Sequence, residues 1–267
     1  MHEELITQME NPGLLDLLPL WTILPITIGL SLVSVELGYR FARSRQRQQS
    51  QEQEKEAPVG GMVGATLALL ALMLAFTFGL AGSRFEDRRQ VVLSEANAIG
   101  TAYLRAAMLP EPMRTETRQL FREYVDVRLE SVQPGKLMDA IAKSEELQNR
   151  LWSQAVAATE KDPSPISAIY VQSLNEVIDL HATRMMAALR SRVPAPIWIV
   201  LFLLSFLSMA MMGYHEALTN SRRSIAVLAL ILGFTSVLFL IVDLDRPRKG
   251  MLQVSQQAII DLRNSMK

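Results

Sequence analysis

The sequence contains no cysteine in its 267 residues. That absence excludes a disulfide framework, a cysteine zinc site, a thiol nucleophile and a cysteine-ligated iron–sulfur cluster. Net charge is absent as well, because 27 basic residues balance 27 acidic ones. A chain with no basic excess lacks the electrostatic signature of a nucleic-acid-binding protein, so we predict no nucleic-acid partner.

Motifs for catalysis and cofactor binding are also missing. The sequence has no Walker loop, no GxSxG elbow and no GxGxxG fingerprint. His2, His181 and His215 lack a second ligand at metal-binding spacing. The His215-Glu216 pair has Thr219 where a zincin helix requires its second histidine. We therefore expect a protein that is not an enzyme and that uses no metal ion and no cofactor.

What the chain has instead is four long apolar runs, at 17–39, 59–83, 194–214 and 224–242. Helices of this length, at about 1.5 Å per residue, cross the ~30 Å hydrocarbon core of a bilayer. The first run is the weakest, because Pro19 and Pro25 interrupt it and Glu36 lies near its end. Helices of a soluble protein would keep a polar face over such a length, and these runs have none. The sequence also lacks the alternation of apolar and polar residues that is typical of β-strands. The runs predict an all-α integral membrane protein with four transmembrane helices in two hairpins and a helical extramembrane segment between them.

The first run is interpreted as a retained anchor rather than a cleaved signal peptide. Residues 1–39 contain no Lys or Arg, so the basic start of a signal peptide is missing. An arginine cluster follows the run: Arg40, Arg43, Arg45 and Arg47. We expect residues 1–16 to be an N-terminal tail and residues 40–58 to be a polar loop.

Residues 84–192 are predicted to form the helical extramembrane domain. Phe85, Val92, Ile99 and Ala106 recur every seven residues with no proline before Pro110, so the second span should continue as one helix to about residue 109. Further helices are predicted at 113–131, 136–160 and 165–192, bounded by prolines and a glycine. A short loop at 215–223 joins the last two spans, and residues 243–267 are predicted to be a C-terminal interfacial segment.

The numbers of basic residues on the two sides of the membrane are too similar to decide the orientation of the chain. Seven lie on the side of the 40–58 and 215–223 loops, and eight lie near the bilayer on the other side. The flanks of the first span differ more, with acidic residues before it and the arginine cluster after it. This asymmetry favours both termini and the helical domain outside.

Small residues recur at four-residue spacing on two ridges of the second span: Gly64 and Ala68, then Ala71, Ala75, Gly79 and Ser83. Such ridges let two helices approach closely, which is a purely structural role. Alternatively, the span lines a pore in an oligomer and gates it by dewetting. In that case Leu72, Phe76 and Leu80 form the hydrophobic constriction. Arg84 and Arg88 would stand at its mouth and attract anions.

Two groups of polar residues are further candidates. A polar network is predicted between the long helix and a later helix, from Glu95, Asn97, Asp179 and His181. Within it, His181 is either a partly buried, satisfied histidine or a pH sensor. An ion-paired charge cluster is predicted at the membrane interface after the last span, from Asp243, Asp245 and Arg246.

Several segments resemble, in order along the chain, the bestrophin-like domain family of bacterial integral membrane proteins. They are RFEDRR (84–89), EANAIGTAYLRA (95–106), FREYVDVRL (121–129), LNEVIDLHATR (174–184), RVPAPIW (192–198), DLDRP (243–247) and VSQQ (254–257). The resemblance implies a remote relation to bestrophins, which are pentameric anion channels whose second transmembrane helix lines the pore. It also implies a helical domain in the cytosol, which opposes the orientation favoured by the charges and leaves both orientations open.

The resemblance does not extend to a calcium site. In bestrophins acidic residues follow the proline after the last span and bind calcium, whereas here Arg248 and Lys249 follow Pro247. We expect a multi-pass protein of the bacterial inner membrane that forms a homo-oligomer in the lipid bilayer and conducts small anions. The alternative is a non-conducting membrane scaffold or sensor whose helical domain binds a partner.

Overall fold

The computed structural model describes residues 18–48, 56–190, 192–219, 225–247 and 250–266. Within these ranges every regular element is an α-helix, which confirms the predicted all-α fold. The helices are α1 (Leu20–Gln48), α2 (Glu56–Ala106), α3 (Met113–Glu130), α4 (Leu137–Lys161), α5 (Pro165–Arg190), α6 (Ala195–Leu218), α7 (Ile225–Asp245) and α8 (Gln257–Ser265). The predicted tail at 1–16 lies outside the described residues, as do parts of the predicted loops at 40–58 and 215–223.

Four of these helices, α1, α2, α6 and α7, are long and apolar enough to cross a membrane. Two of them extend well beyond the apolar runs. Helix α1 continues to Gln48 because the arginines and glutamines that follow its apolar part favour helix. Helix α2 has 51 residues, about 75 Å, since no proline interrupts it between Pro58 and Pro110.

The chain divides into two compact units, and the boundary lies inside α2 between Arg84 and Phe85. The spanning unit contains the described parts of Met1–Arg84 and Arg192–Leu252. The helical domain contains the described parts of Phe85–Ser191 and Gln253–Lys267.

The spanning unit is held together by close contact between α1 and α6. A Cβ atom added to Gly38 would lie 1.8 Å from the carbonyl oxygen of Ala210, and one added to Gly213 would lie 1.9 Å from that of Val35. Because only glycine lets two helix backbones come this close, these positions fix the α1–α6 crossing. Helix α2 joins through the Ser208 hydroxyl, which donates to the carbonyl oxygen of Thr66 at 3.4 Å.

The helical domain has its own apolar core, built from α2 beyond the span together with α3, α4, α5 and α8. The seven-residue stripe of α2 enters this core, with Val92, Ile99 and Ala106 all buried. Helix α8 contributes Ile259, which is fully buried. The structure therefore divides the predicted interfacial segment 243–267, because residues from Gln253 onward pack into the helical domain. Ala258 and Leu262 of α8 pack beside Ile259 against the same core.

Candidate functional site

The predicted constriction residues lie on a side of α2 that the spanning unit leaves uncovered. Leu72 is 52% exposed, Phe76 is 67% exposed and Leu80 is half-buried. The opposite side of the span packs inside the unit through Val59, Val63, Leu70, Leu74, Thr77 and Ala81. The constriction residues are therefore available to the bilayer or to another chain.

The small-residue ridges of α2 are uncovered too. A Cβ atom added to Gly64 or Gly79 would meet no described atom within 4 Å. Ala68, Ala71, Ala75 and Ser83 are exposed. Ala71 and Ala75 line an apolar groove of about 610 Å³ between α2 and α7. Helix packing among the described residues therefore does not account for Gly64 and Gly79.

Of the two arginines predicted at the pore mouth, Arg84 is half-buried and Arg88 is buried. The guanidinium carbon of Arg88 lies 5.9 Å from the centre of the Phe85 ring. The helical period explains the burial, because Arg88 precedes the core residues Val92 and Ile99 by four and eleven positions on the same stripe. Arg88 therefore lies on the buried side of α2, whereas Arg84 is only half-buried.

A buried ionic cluster lies in the helical domain and centres on Glu95 of α2, whose side chain has no exposed surface. The Nε atom of Arg128 on α3 donates to Oε1 of Glu95 at 2.8 Å. Nη1 of Arg184 on α5 donates to Oε2, and Nη2 of Arg184 donates to Oε1 of Gln256 at 2.8 Å. One carboxylate thus connects three helices, and the segment leading into α8 joins through Gln256.

A chain of hydrogen bonds runs beside this cluster. Nε2 of Gln148 on α4 donates to the hydroxyl oxygen of Tyr124 at 3.0 Å. The Tyr124 hydroxyl is 3.3 Å from Nδ1 of His181. The amide nitrogen can only donate, so the Tyr124 hydroxyl accepts from Gln148. Which of Tyr124 and His181 donates to the other depends on which ring nitrogen of the histidine carries the proton.

Burial and charge set the protonation of these groups. Burial lowers the pKa of His181 to about 4, in the same direction as the positive charges of Arg128 and Arg184. Burial alone would raise the pKa of Glu95, but the two guanidinium groups outweigh it and hold that pKa below its ordinary value. At neutral pH the cluster therefore holds two positive charges and one negative charge, with a neutral histidine beside them.

Of the four residues predicted to form the polar network, the structure brings Glu95 and His181 into one cluster and leaves Asn97 and Asp179 exposed. Each exposed residue is two positions from its buried neighbour, which at about 100° per residue places it on the far side of the helix. Sequence reasoning missed Arg128, Tyr124 and Gln148. Their positions on the apolar stripes of α3 and α4 were the available signal.

The predicted charge cluster after the last span bonds to backbone groups. Asp243 accepts hydrogen bonds from the backbone N–H groups of Met251 at 2.6 Å and Leu252 at 3.1 Å. Asp245 accepts one from the N–H of Val193 at 2.7 Å, and Nη2 of Arg246 donates to the carbonyl oxygen of Leu18 at 2.8 Å. These side chains hold the ends of the spans in place, as expected for an ordered segment at the membrane interface.

In the part of the chain that the structure describes, no group of three or more histidine, aspartate or glutamate side chains could hold a metal ion. The ionic cluster is built on a single carboxylate between two arginines, and this donor set repels a cation.

Comparisons with known proteins agree on one family. The Bestrophin-like domain model matches residues 28–259 of the sequence. A point mutant of a bacterial Bestrophin homolog from Klebsiella pneumoniae has 12% sequence identity and a TM-score of 0.65, over 92% of this chain and 97% of that one. The same homolog solved by Zn-SAD phasing has 12% identity and a TM-score of 0.59, over 92% and 96%. These identities show a shared fold. No curated protein matches the sequence.

Proposed function

Because the chain belongs to the Bestrophin-like domain family, we propose that this membrane protein forms a homo-oligomer around a pore that conducts small anions. The spanning part of α2 lines the pore, and no catalytic step is involved. We further propose that it works in the bacterial inner membrane, with the lipid bilayer around the oligomer.

The observation that carries the proposal is the uncovered side of α2. Ridges of small residues in a membrane allow helices to approach closely, yet in one chain Gly64 and Gly79 meet no described neighbour. A second copy of the chain would supply that neighbour. Oligomers with rotational symmetry then place the same side of each α2 around one axis.

Within such an oligomer, Leu72 and Phe76 form the constriction and Leu80 extends it toward Arg84. A narrow apolar ring expels water and closes a pore to ions, so its side chains control conduction. Arg84, half-buried at the end of the span, raises the local anion concentration through its positive charge.

The test is chloride flux from liposomes that contain the purified protein, with the oligomeric state measured in detergent. We expect a symmetric oligomer and protein-dependent flux. Phe76→Ala should raise the flux several-fold by opening the constriction. Phe78→Ala is the matched control, because Phe78 is two residues away and lines the groove with α7 instead. A monomer without flux would favour the non-conducting scaffold or sensor.

A further inference from the structure

Helix α1 carries a polar face where it continues beyond its apolar part. The residues of this arginine face are Glu36, Tyr39, Arg40, Arg43, Ser44 and Arg47, and they line a surface groove of about 590 Å³. Their spacing of three and four positions places all six on one side of the helix. The face is therefore one continuous surface rather than a scatter of charges.

This face is directed away from the other helices of the spanning unit. Gly38 and Ala42 are buried and mark the packed side of α1, with Gly38 against Ala210 of α6. At about 100° per residue, the arginine face is centred well over 90° around the helix from them. Arg40, Arg43 and Arg47 are accordingly exposed. A ligand can reach them from the surrounding bilayer.

The arginines also lie at the depth of the lipid headgroups. If Tyr39 marks the edge of the hydrocarbon core, Arg40, Arg43 and Arg47 follow it by about 1.5, 6 and 12 Å along the axis. The headgroup layer of one leaflet is about 5–8 Å thick. Side chains tilt toward the N-terminus of a helix, which here points back to the bilayer, so the long arginines can reach that layer.

Charge determines what the face attracts. Three arginines against one glutamate leave two net positive charges. Two of the arginines are oriented by neighbours on the same helix: Nε of Arg40 donates to Glu36 at 2.7 Å, and Nη2 of Arg43 donates to the Tyr39 hydroxyl at 2.9 Å. Guanidinium groups bind phosphate with two parallel hydrogen bonds. We propose that the arginine face binds the phosphate headgroup of an anionic phospholipid.

Native mass spectrometry of the purified full-length protein, titrated with phosphatidylglycerol or phosphatidylcholine, tests the proposal. We expect saturable adducts with phosphatidylglycerol and few with phosphatidylcholine. The triple variant Arg40→Gln, Arg43→Gln and Arg47→Gln should weaken phosphatidylglycerol binding by about fivefold per arginine removed. Arg45→Gln is the matched control, since Arg45 lies over the Phe41 ring outside the groove and should leave binding unchanged.

Two further measurements guard against a misfolded variant and a different ligand. The triple Arg→Lys variant keeps the charge but loses the paired guanidinium hydrogen bonds, so it should bind phosphatidylglycerol more tightly than the triple Gln variant and more weakly than the wild type. Millimolar inorganic phosphate should leave the lipid adducts in place, because the proposed ligand is a lipid anchored in the bilayer. Equal binding of the two lipids, equal loss in Arg45→Gln, or displacement by free phosphate would each overturn the proposal. None of these outcomes depends on whether the protein conducts anions.

Discussion

Arg128 and Glu95 form an ion pair with an Nε to Oε1 distance of 2.8 Å, and their side chains are 2% and 0% exposed. They belong to different helices and are separated by 33 residues in sequence. Nη1 of Arg128 is buried and has no hydrogen-bond partner among the described residues. The pair thus ties α2 to α3 in a site that already holds an excess of positive charge through Arg184.

Removing the carboxylate charge should destabilise the helical domain strongly. In Glu95→Gln the two arginines stay buried without a counter-charge, and we expect a loss of about 3–5 kcal/mol in the free energy of unfolding. Thermal unfolding of the purified protein measures the effect. Glu86→Gln on the same helix is the control and should change the midpoint little, because its partner Arg89 is 65% exposed. An equal shift in both variants would contradict the buried pair.

The buried histidine should make stability depend on pH. The pKa of His181 falls from an ordinary 6.5 to about 4 in the folded protein, so the unfolded chain binds more protons between these values. Stability is therefore full above about pH 6.5 and decreases as the pH falls toward 4, by about 3 kcal/mol in all. Denaturant unfolding at several pH values measures this slope.

His181→Gln should flatten the slope between pH 6.5 and about pH 5.5, a window above the range in which carboxylates ordinarily titrate. Asp179→Asn, two residues away and exposed, should keep the wild-type slope. If His181→Gln retains the full pH dependence, another group is responsible and the histidine is only a packed side chain.

The α1–α6 crossing should not tolerate a side chain larger than hydrogen. Gly38→Ala places a methyl group 1.8 Å from a backbone oxygen, so the helices must separate. We expect a loss of about 1–3 kcal/mol or more in stability, measured by unfolding in detergent. Gly29→Ala on the same helix meets no described atom within 4 Å and should be neutral or slightly stabilising. Comparable losses in both variants would contradict the assignment of the effect to the close α1–α6 crossing.

The sequence was sufficient for the all-α fold and the membrane class. Apolar runs of this length without charge leave little alternative to transmembrane helices. The stripe of α2 from Val92 to Ala106 indicated a buried face without showing which helices cover it. Periodicity describes one helix at a time. Applied to α2, it also places Asn97 on the opposite side of the helix from Glu95, and it places Arg88 on the buried stripe.

The partners of Glu95 could not be predicted in the same way. Arg128 and Arg184 are 33 and 89 residues from it. Which helices pack together depends on the fold of the whole domain, and many exposed arginines in the sequence were equally plausible partners. The hydrogen-bond chain from Gln148 through Tyr124 to His181 was hidden for the same reason, since it joins three helices.

The helical domain is built from two separate stretches of sequence. Its parts are therefore translated at different times. Residues 85–191 are translated before α6 and α7, but Ile259 of its core and Gln256 beside Arg184 come only after both spans. A nascent chain therefore holds an incomplete helical domain until both later spans have been translated. The apolar core of that domain can close only once the residues beyond α7 are available.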